Sequence, residues 1–319
     1  MGHHGSTVLV IGSRDDPTAT VVVDELARRS RPARRMDIGD FPSELGLTGK
    51  LLGGRWNGEL GDVRFAEIES VYYRRPSRFT FPHGLSPADL AFASEEARLG
   101  VSGVLTSLDV PWVNNPAKIA VAEYKPLQLR TAARCGLSVP STLITTDHRA
   151  VIDFADAVGP LVCKTLSSLA HSVDGKVRIT YTTAVDPGVI DPTALAVTAH
   201  LFQSRVPKQY EVRVTMVGKR ALGVAIHAGS AAARLDWRAD YAALSYAPID
   251  VPSDVVGKAV TYLDAFGLAF GAFDFVVTPE DEWVFLECNP AGQWLWLERQ
   301  AGIPITAALV DLLTGEVTE

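Results

Sequence analysis

Residues 7–11 (Thr-Val-Leu-Val-Ile) form an unbroken apolar run, followed by the polar turn Gly12-Ser-Arg-Asp-Asp-Pro17. Apolar positions then recur at Val22, Val23, Leu26 and Ala27 with helical spacing. The pattern predicts a buried strand, a turn and a helix over 19–29, the opening of an α/β unit. Residues 40–62 carry Phe41-Pro42, Gly53-Gly54 and Trp56-Asn57-Gly58, which predict turns and short strands. A strand follows at 69–73, and a helix over 86–108 with Ser86 as N-cap before Pro87. The turn Trp112-Val-Asn-Asn-Pro116 marks a first domain boundary.

Beyond it the apolar spacing predicts helices over 117–135, split at Pro126 so that the second starts near Lys125 and stops at Gly136. Strands are expected at 139–145 and 161–164, with a helix over 148–158 between them. A Ser-rich turn at 167–172 leads into a hairpin ending near Thr182, and 187–191 resembles a linker. The last part reads as strands at 199–206, 211–217, 221–227, 270–277 and 282–287, with helices over 253–266 and 305–313. No internal repeat is present. The fold class is α/β.

Composition narrows the function. Hydrophobic residues make up 47% and charged residues 21% of 319, enough for sizeable cores and too apolar for a disordered chain. Thirty basic against 37 acidic residues leave a net charge of −7, which argues against nucleic acid as a partner. Cys135, Cys163 and Cys288 are odd in number and far apart, which fits neither a disulfide framework nor a zinc site. No secretory or membrane-spanning pattern is seen, so a soluble cytoplasmic protein without a membrane partner is expected. Met1–Ser6 is given no chemical role. The first turn lacks the spaced glycines of a dinucleotide site, and no G-x-x-x-x-G-K-[ST] occurs. No Ser/His/Asp or Cys/His set can be assembled, and His171 and His227 stand isolated.

The most informative segment runs from Gly271 to Pro290. With a two-residue tip at Glu280-Asp281, Pro279 faces Glu282 and Asp274 lies opposite Glu287, with Asn289 on their face. The flanking residues are apolar, so the hairpin is a core element. Two facing carboxylates in such surroundings repel and are costly to desolvate. A divalent cation relieves both problems, and two carboxylates with an amide oxygen suit Mg²⁺. The alternative is one surface carboxylate and one paired with an arginine, Arg213 or Arg238; a different register would separate the two groups.

Asp274 followed by Glu287-x-Asn289-Pro290 resembles the metal-binding hairpin of ATP-grasp ligases. Lys125, before Ala132-Ala-Arg-Cys-Gly-Leu-Ser-Val-Pro140, is similar to that family's first ATP lysine, and Lys164, ending Leu161-Val-Cys-Lys164, to its second. Leu201-Phe-Gln-Ser-Arg-Val206 stands where the adenine-contacting hinge would be, and Glu211-Val-Arg213 and Asp236-Trp-Arg238 match phosphate- and substrate-side motifs. More narrowly, Asp37-Ile-Gly-Asp-Phe-Pro42, Val71-Tyr-Tyr-Arg-Arg-Pro76 and Pro290-Ala-Gly-Gln-Trp-Leu-Trp-Leu-Glu298 resemble the ATP-grasp maturases of ribosomally made peptides, the graspetide or microviridin-type macrocyclases, especially the actinobacterial kind. One departure is the loop Thr165-Leu-Ser-Ser-Leu-Ala-His171, which has no glycine where many such lids are Gly-rich.

The resemblance implies an ATP-grasp fold, α/β with α+β subdomains, in three parts: a pre-ATP-grasp domain over 1–115, a central ATP-grasp subdomain over 116–198 and a C-terminal one over 199–319, with ATP and Mg²⁺ as cofactors. It implies phosphorylation of a Glu or Asp side chain of a precursor peptide, leader plus core, and capture by Thr or Ser to an ω-ester, or by Lys to an amide. Lys125, Lys164, Gln203, Ser204, Val206 and Glu211 would bind nucleotide, and Asp274, Glu287 and Asn289 the metal. Arg213 and Arg238 would act on the transferring group, and Arg74 and Arg75 on the substrate. A leader would dock near 210–245, and the enzyme would be a dimer or higher oligomer. Two other readings stay open: a ligase joining small amines, like glutathione synthetase or a peptide-glutamate ligase, and an inactive nucleotide-binding adaptor. Taken singly, each lysine reads as a solvated charge, Arg74 and Arg75 as strand-end charges, and Trp294 and Trp296 as packing.

Overall fold

The computed structural model describes residues 6–167, 170–173 and 176–316. The N-terminal part begins with β1 (Thr7–Ile11), α1 (Pro17–Arg28) and β2 (Ala33–Met36). A small antiparallel sheet follows: β3 (Leu47–Leu52), β4 (Arg55–Leu60) and β5 (Val63–Arg64). Then come β6 (Ile68–Tyr73), α2 (Pro87–Thr106) and β7 (Trp112–Val113). Strands β2-β1-β6-β7 form a parallel sheet. All five residues of β1 are buried, as the apolar run requires of a central parallel strand. Asp16 caps α1 by accepting from the amide of Thr18 at 2.8 Å, and Ser86 caps α2 by accepting from that of Asp89 at 3.1 Å.

The middle of the chain holds α3 (Pro116–Ala122), α4 (Lys125–Arg134), β8 (Thr142–Thr145), α5 (His148–Val158) and β9 (Leu161–Lys164). The hairpin β10 (Ala170–Val173) and β11 (Lys176–Ile179), then β12 (Thr183–Val185), α6 (Pro192–Leu195) and β13 (His200–Ser204), complete it. Of the expected Ser-rich turn, Ser168 and Leu169 lie outside the described residues.

The last part contains β14 (Tyr210–Val217), β15 (Arg220–Ala228), α7 (Ala231–Leu235), β16 (Leu244–Ile249) and α8 (Ser253–Phe266). It ends with β17 (Phe270–Val277), β18 (Trp283–Asn289), α9 (Leu295–Ala301) and α10 (Ile305–Thr314). Its sheet has the order β16-β15-β14-β17-β18. Strand β16 and helices α7 and α9 carry too few periodic apolar positions to have been anticipated.

The three parts are not cut where the sequence placed the cuts. Strand β13, assigned to the C-terminal part by a boundary at 198, lies between β9 and β8 in the sheet β12-β9-β13-β8. Its pairing residues are local neighbours of that sheet in space only. Conversely, Ala122, Leu129, Ala132 and Leu137, assigned to the central part, are buried against Val212, Tyr262, Phe273 and Phe285 of the C-terminal core. The sheet β12-β9-β13-β8 and the residues about it, 138–205, are called the middle subdomain. Helix α10 packs on α1 as well as on the C-terminal sheet, so Leu309 and Val310 share one core with Val8, Val22 and Phe270.

Candidate active site

The carboxylate hairpin is built as expected at its centre and differently at its tip. Asp274 pairs with Glu287 and Ala272 with Asn289. Toward the tip, however, Thr278 rather than Pro279 faces Glu282: the amide of Thr278 donates to the Glu282 carbonyl at 3.0 Å. The turn holds three residues, Pro279, Glu280 and Asp281, and Asp281 takes φ +61°. That register alone would set Asp274 opposite Leu286. A bulge in β18 between Phe285 and Glu287 adds the missing residue and returns Glu287 to its place. The expected two-residue tip is thus corrected, while the facing pair stands.

Each carboxylate is met by a cation. Arg213, opposite Asp274 on β14, grips it with two bonds, Nε to Oδ1 at 2.8 Å and Nη2 to Oδ2 at 2.7 Å. Lys125 Nζ stands 3.0 Å from Glu287 Oε2, and Arg238 Nη1 3.7 Å from its Oε1. Asn289 Nδ2 lies 3.4 Å from Asp274 Oδ2, which keeps its amide beside the pair. Burial would raise the Glu287 carboxyl, but Lys125, then Arg238 and Lys164, overcome this and hold it down at about 2.

A cavity of about 450 Å³ opens on this hairpin and is walled on its other side by the middle subdomain. Lys125, Lys164, Gln203, Ser204, Val206, Glu211, Arg238, Asp274 and Glu287 all line it, so nine of the expected residues meet in one space. Lys164 makes no hydrogen bond or ion pair among the described residues; burial pushes its ammonium down, and Glu287 offsets part of this. Such a cation is suited to an anionic group entering the cavity. Gln203 is buried and donates to Thr142 Oγ1 at 3.1 Å, which fixes it within the sheet. Burial raises the Glu211 carboxyl despite its contact with Lys208.

Arg213, Asn289, Arg74 and Arg75 do not line the cavity. Arg213 lies behind Asp274, with its guanidinium 5.6 Å from the Trp237 ring centre. Arg74 is only 3% exposed. It donates from Nε to Asp16 at 3.2 Å and from Nη1 to the Gly292 carbonyl at 3.2 Å, clamping the N-terminal sheet to the loop after β18. Arg75 is the exposed member of the pair, and its Nη2 reaches the Ala291 carbonyl at 3.5 Å.

Asp236, in the sequence only the first residue of Asp236-Trp-Arg238, has a structural role of its own. It is buried, accepts from Arg238 Nε at 2.8 Å and Nη2 at 3.1 Å, and accepts from the Thr182 amide at 2.9 Å. One carboxylate thus orients Arg238 and ties it to the middle subdomain. Burial opposes ionisation of Asp236, yet Arg238 keeps its carboxyl below the usual range. Gln128 is a second such residue: buried on α4, it donates to the Cys288 carbonyl and accepts from the Cys288 amide, anchoring β18 one residue past Glu287. Its signal in the sequence is only a polar residue on an otherwise apolar helix face.

The donor set fits a divalent cation. Asp274 and Glu287 stand together with the Asn289 amide beside them, a donor set suited to a divalent cation, and in this structure Arg213 and Lys125 meet the two carboxylates. Among the described residues no three His, Cys, Asp or Glu side chains cluster for a metal. No helix among the described residues is long and apolar enough to cross a membrane.

Comparison with known proteins places these features in context. Residues 7–120 match the family profile described as the MvdD pre-ATP grasp domain. Macrocyclase MdnC of Microcystis aeruginosa MRC, solved with precursor peptide MdnA, is 30% identical over 98% of this chain and 100% of that one, with a TM-score of 0.82. A RiPP-associated ATP-grasp ligase of Chryseobacterium gregarium, solved with ADP and a leader and core peptide, is 25% identical over 98% of each chain, with a TM-score of 0.88. Macrocyclase MdnB of Microcystis aeruginosa MRC is 28% identical over 97% of this chain and 99% of that one, with a TM-score of 0.78. A search of curated proteins gave no match.

Proposed function

The chain belongs to the ATP-grasp ligases that macrocyclise ribosomally made peptides, and from that premise we propose which peptide chemistry its residues perform. It is an ATP-dependent ligase with the ATP-grasp fold. Its substrate is a precursor peptide with a leader and a core. A core Glu or Asp carboxylate attacks the γ-phosphorus of ATP, the bond to the β-phosphate oxygen breaks, and ADP leaves. A Thr or Ser hydroxyl, or a Lys amine, then adds to the acyl phosphate carbonyl. Collapse of the tetrahedral adduct expels inorganic phosphate, the nucleophile loses its proton, and an ester or amide ring results.

The observation that carries this reading is the convergence of Lys125, Lys164 and Arg238 on one cavity with Asp274 and Glu287. Phosphoryl transfer needs charge neutralisation and alignment more than covalent help. In this proposal Lys164 and Lys125 bind phosphate oxygens, and Gln203, Ser204, Val206 and Glu211 line the nucleoside end. Asp274, Glu287 and Asn289 would hold Mg²⁺, which supplies Lewis-acid neutralisation of phosphate charge. Arg238, oriented by Asp236, holds the substrate carboxylate or the developing oxyanion. Arg213 holds Asp274 in place with two hydrogen bonds, and Arg75 offers the exposed contact for the peptide. A dimer or higher assembly is part of this reading, as is action in the cytoplasm.

The test is incubation with ATP, Mg²⁺ and the precursor encoded beside the gene, followed by mass spectrometry. Loss of one water mass, ~18 Da, per ring is expected, because attack on the acyl phosphate removes one carboxyl oxygen. An unchanged peptide mass with ADP formed on small amines would favour the small-amine ligase instead.

A further inference from the structure

Strand β18 is the outer strand of its sheet, so alternate backbone units along it turn away from β17 and need partners elsewhere. Two buried amide side chains supply them at the end that carries Glu287 and Asn289. Gln128, 4% exposed on α4, accepts from the Cys288 amide at 3.0 Å and donates to the Cys288 carbonyl at 2.8 Å. It also donates to the Ala122 carbonyl at 2.6 Å. Asn114, 2% exposed just after β7, donates to the Pro290 carbonyl at 2.7 Å and to the Phe270 carbonyl at 2.8 Å. Its Oδ1 accepts from the amides of Ala269 and Phe270. The backbone is thus held at 288 and 290, while 287 and 289 carry the side chains that stand by Asp274.

This clamp acts where the register is most at risk. The three-residue turn by itself would set Leu286 opposite Asp274, and a slip of one residue would send Glu287 to the other face of the sheet. The bulge that prevents this is pinned on both sides. Before it, the Phe285 amide donates to the Ser138 carbonyl at 2.8 Å. After it, Gln128 closes on both backbone polar groups of Cys288. Lys125 lies three residues before Gln128 on the same face of α4 and meets Glu287. One helix therefore holds the Glu287 carboxylate and the backbone that follows it. A buried amide costs free energy that an apolar residue would avoid, and neither amide lines the cavity, so their work is done through β18.

We propose that Gln128 and Asn114 are positioning residues for the metal: by fixing the bulged register of β18 they hold Glu287 and Asn289 in a rigid arrangement that selects Mg²⁺ over Ca²⁺. Mg²⁺ demands near-octahedral oxygen ligands at short distance, whereas Ca²⁺ accepts more ligands, longer distances and irregular geometry. A ligand set free to shift loses the smaller ion first. The inference rests on the metal assignment under the proposed function and names what gives that site its selectivity.

The test is Mn²⁺ binding to the full chain with ADP, read by electron paramagnetic resonance, with Mg²⁺ and Ca²⁺ as displacing ions; Mn²⁺ takes the same octahedral oxygen sites. Gln128→Met, close in volume but without the amide, should weaken Mn²⁺ and Mg²⁺ by about tenfold or more, and Ca²⁺ by much less. Asn114→Ser should shift the ions in the same order. Gln128→Asn, whose amide falls one methylene short of Cys288, should do so too, and it decides the matter where Gln128→Met does not fold. ADP affinity in EDTA should not change, because neither amide lines the cavity. Val22→Ala, a core change on α1, should lower the melting temperature and leave ion binding unmoved, which is also what a merely structural role would give for Gln128. Unchanged Mn²⁺ binding in the Gln128 and Asn114 variants, or an equal loss of Mg²⁺ and Ca²⁺, overturns the proposal and leaves the metal assignment standing. A wild-type complex with ADP that takes up no Mn²⁺ overturns both.

Discussion

The two walls of the active-site cavity are built to different standards. The C-terminal wall stands on a five-stranded sheet in which all eight residues of β17 are buried, with Phe273, Phe275, Phe285 and Tyr262 packed behind it. The middle subdomain supplies the other wall from a four-stranded sheet whose buried core is Val151, Leu161, Leu195 and Phe202. Val189 and Val197 are about four-fifths exposed there. Groups that must hold fixed positions, Asp274 and Glu287, belong to the thick wall, and Lys164 and the 203–206 segment to the thin one. A small core opens at lower free energy, which suits a part that must move to admit and release nucleotide.

The comparison breaks first at Asp274. Asp274→Ala leaves the Arg213 guanidinium buried without its partner, which should destabilise the chain by about 3–5 kcal/mol. Urea unfolding measures this, and ring formation by mass spectrometry should fall to background. A loss below about 1 kcal/mol would mean that the thick wall is not organised by this pair. The same logic applies to both arginines: Arg213→Ala should cost stability as well as product, and Arg238→Ala, which strands the buried Asp236 carboxylate, should also cost both.

Next come two phenylalanines. Phe273→Ala should cost about 3–5 kcal/mol in global unfolding. Phe202→Ala should act locally instead, accelerating hydrogen exchange across 142–204 while amides of β14 and β17 keep their protection. A single transition shifted equally by both variants would show that the walls unfold as one.

Asp236 joins the walls, and acid should part them. Its carboxyl lies below the ordinary range in the folded chain, so its contribution is present above the unfolded value and is lost as pH falls through the lower folded one. Exchange near Thr182 should therefore rise as pH drops below about 4. Asp236→Asn should remove that dependence and cost about 1.5–3 kcal/mol, the worth of hydrogen bonds to a charged group.

The smallest effect on stability is expected at Lys164. It has no partner among the described residues, so Lys164→Ala should change unfolding by less than about 0.5 kcal/mol. ATP affinity should nonetheless fall, by about tenfold or more, if a phosphate takes its ammonium. Calorimetric titration with nucleotide checks this, and unchanged affinity would remove Lys164 from the nucleotide site.

Much of this was legible in the chain. The apolar runs 7–11, 161–164 and 270–277 became strands, and the cap residue Ser86 lies where α2 starts. Alternation sets Asp274 opposite Glu287 only with a two-residue tip; the turn holds three residues, and it is the bulge at Leu286 that restores the register. Arg74 shows the opposite case. Next to Arg75 it resembles a surface charge, but its donors are committed to Asp16 and the 291–292 carbonyls. No local pattern distinguishes the two, because burial is set by residues more than two hundred positions away.

The order of residues by itself determined most element types and the family, since these depend on alternation, capping and short motifs within reach of one another along the chain. Tertiary structure alone decided that β13 joins the middle sheet, that Arg213 stands behind Asp274 and outside the cavity, and that Asp236 couples the two walls. Each of those facts is a contact between segments remote in sequence, chosen by which surfaces exclude water together, and no window of neighbouring residues contains that information.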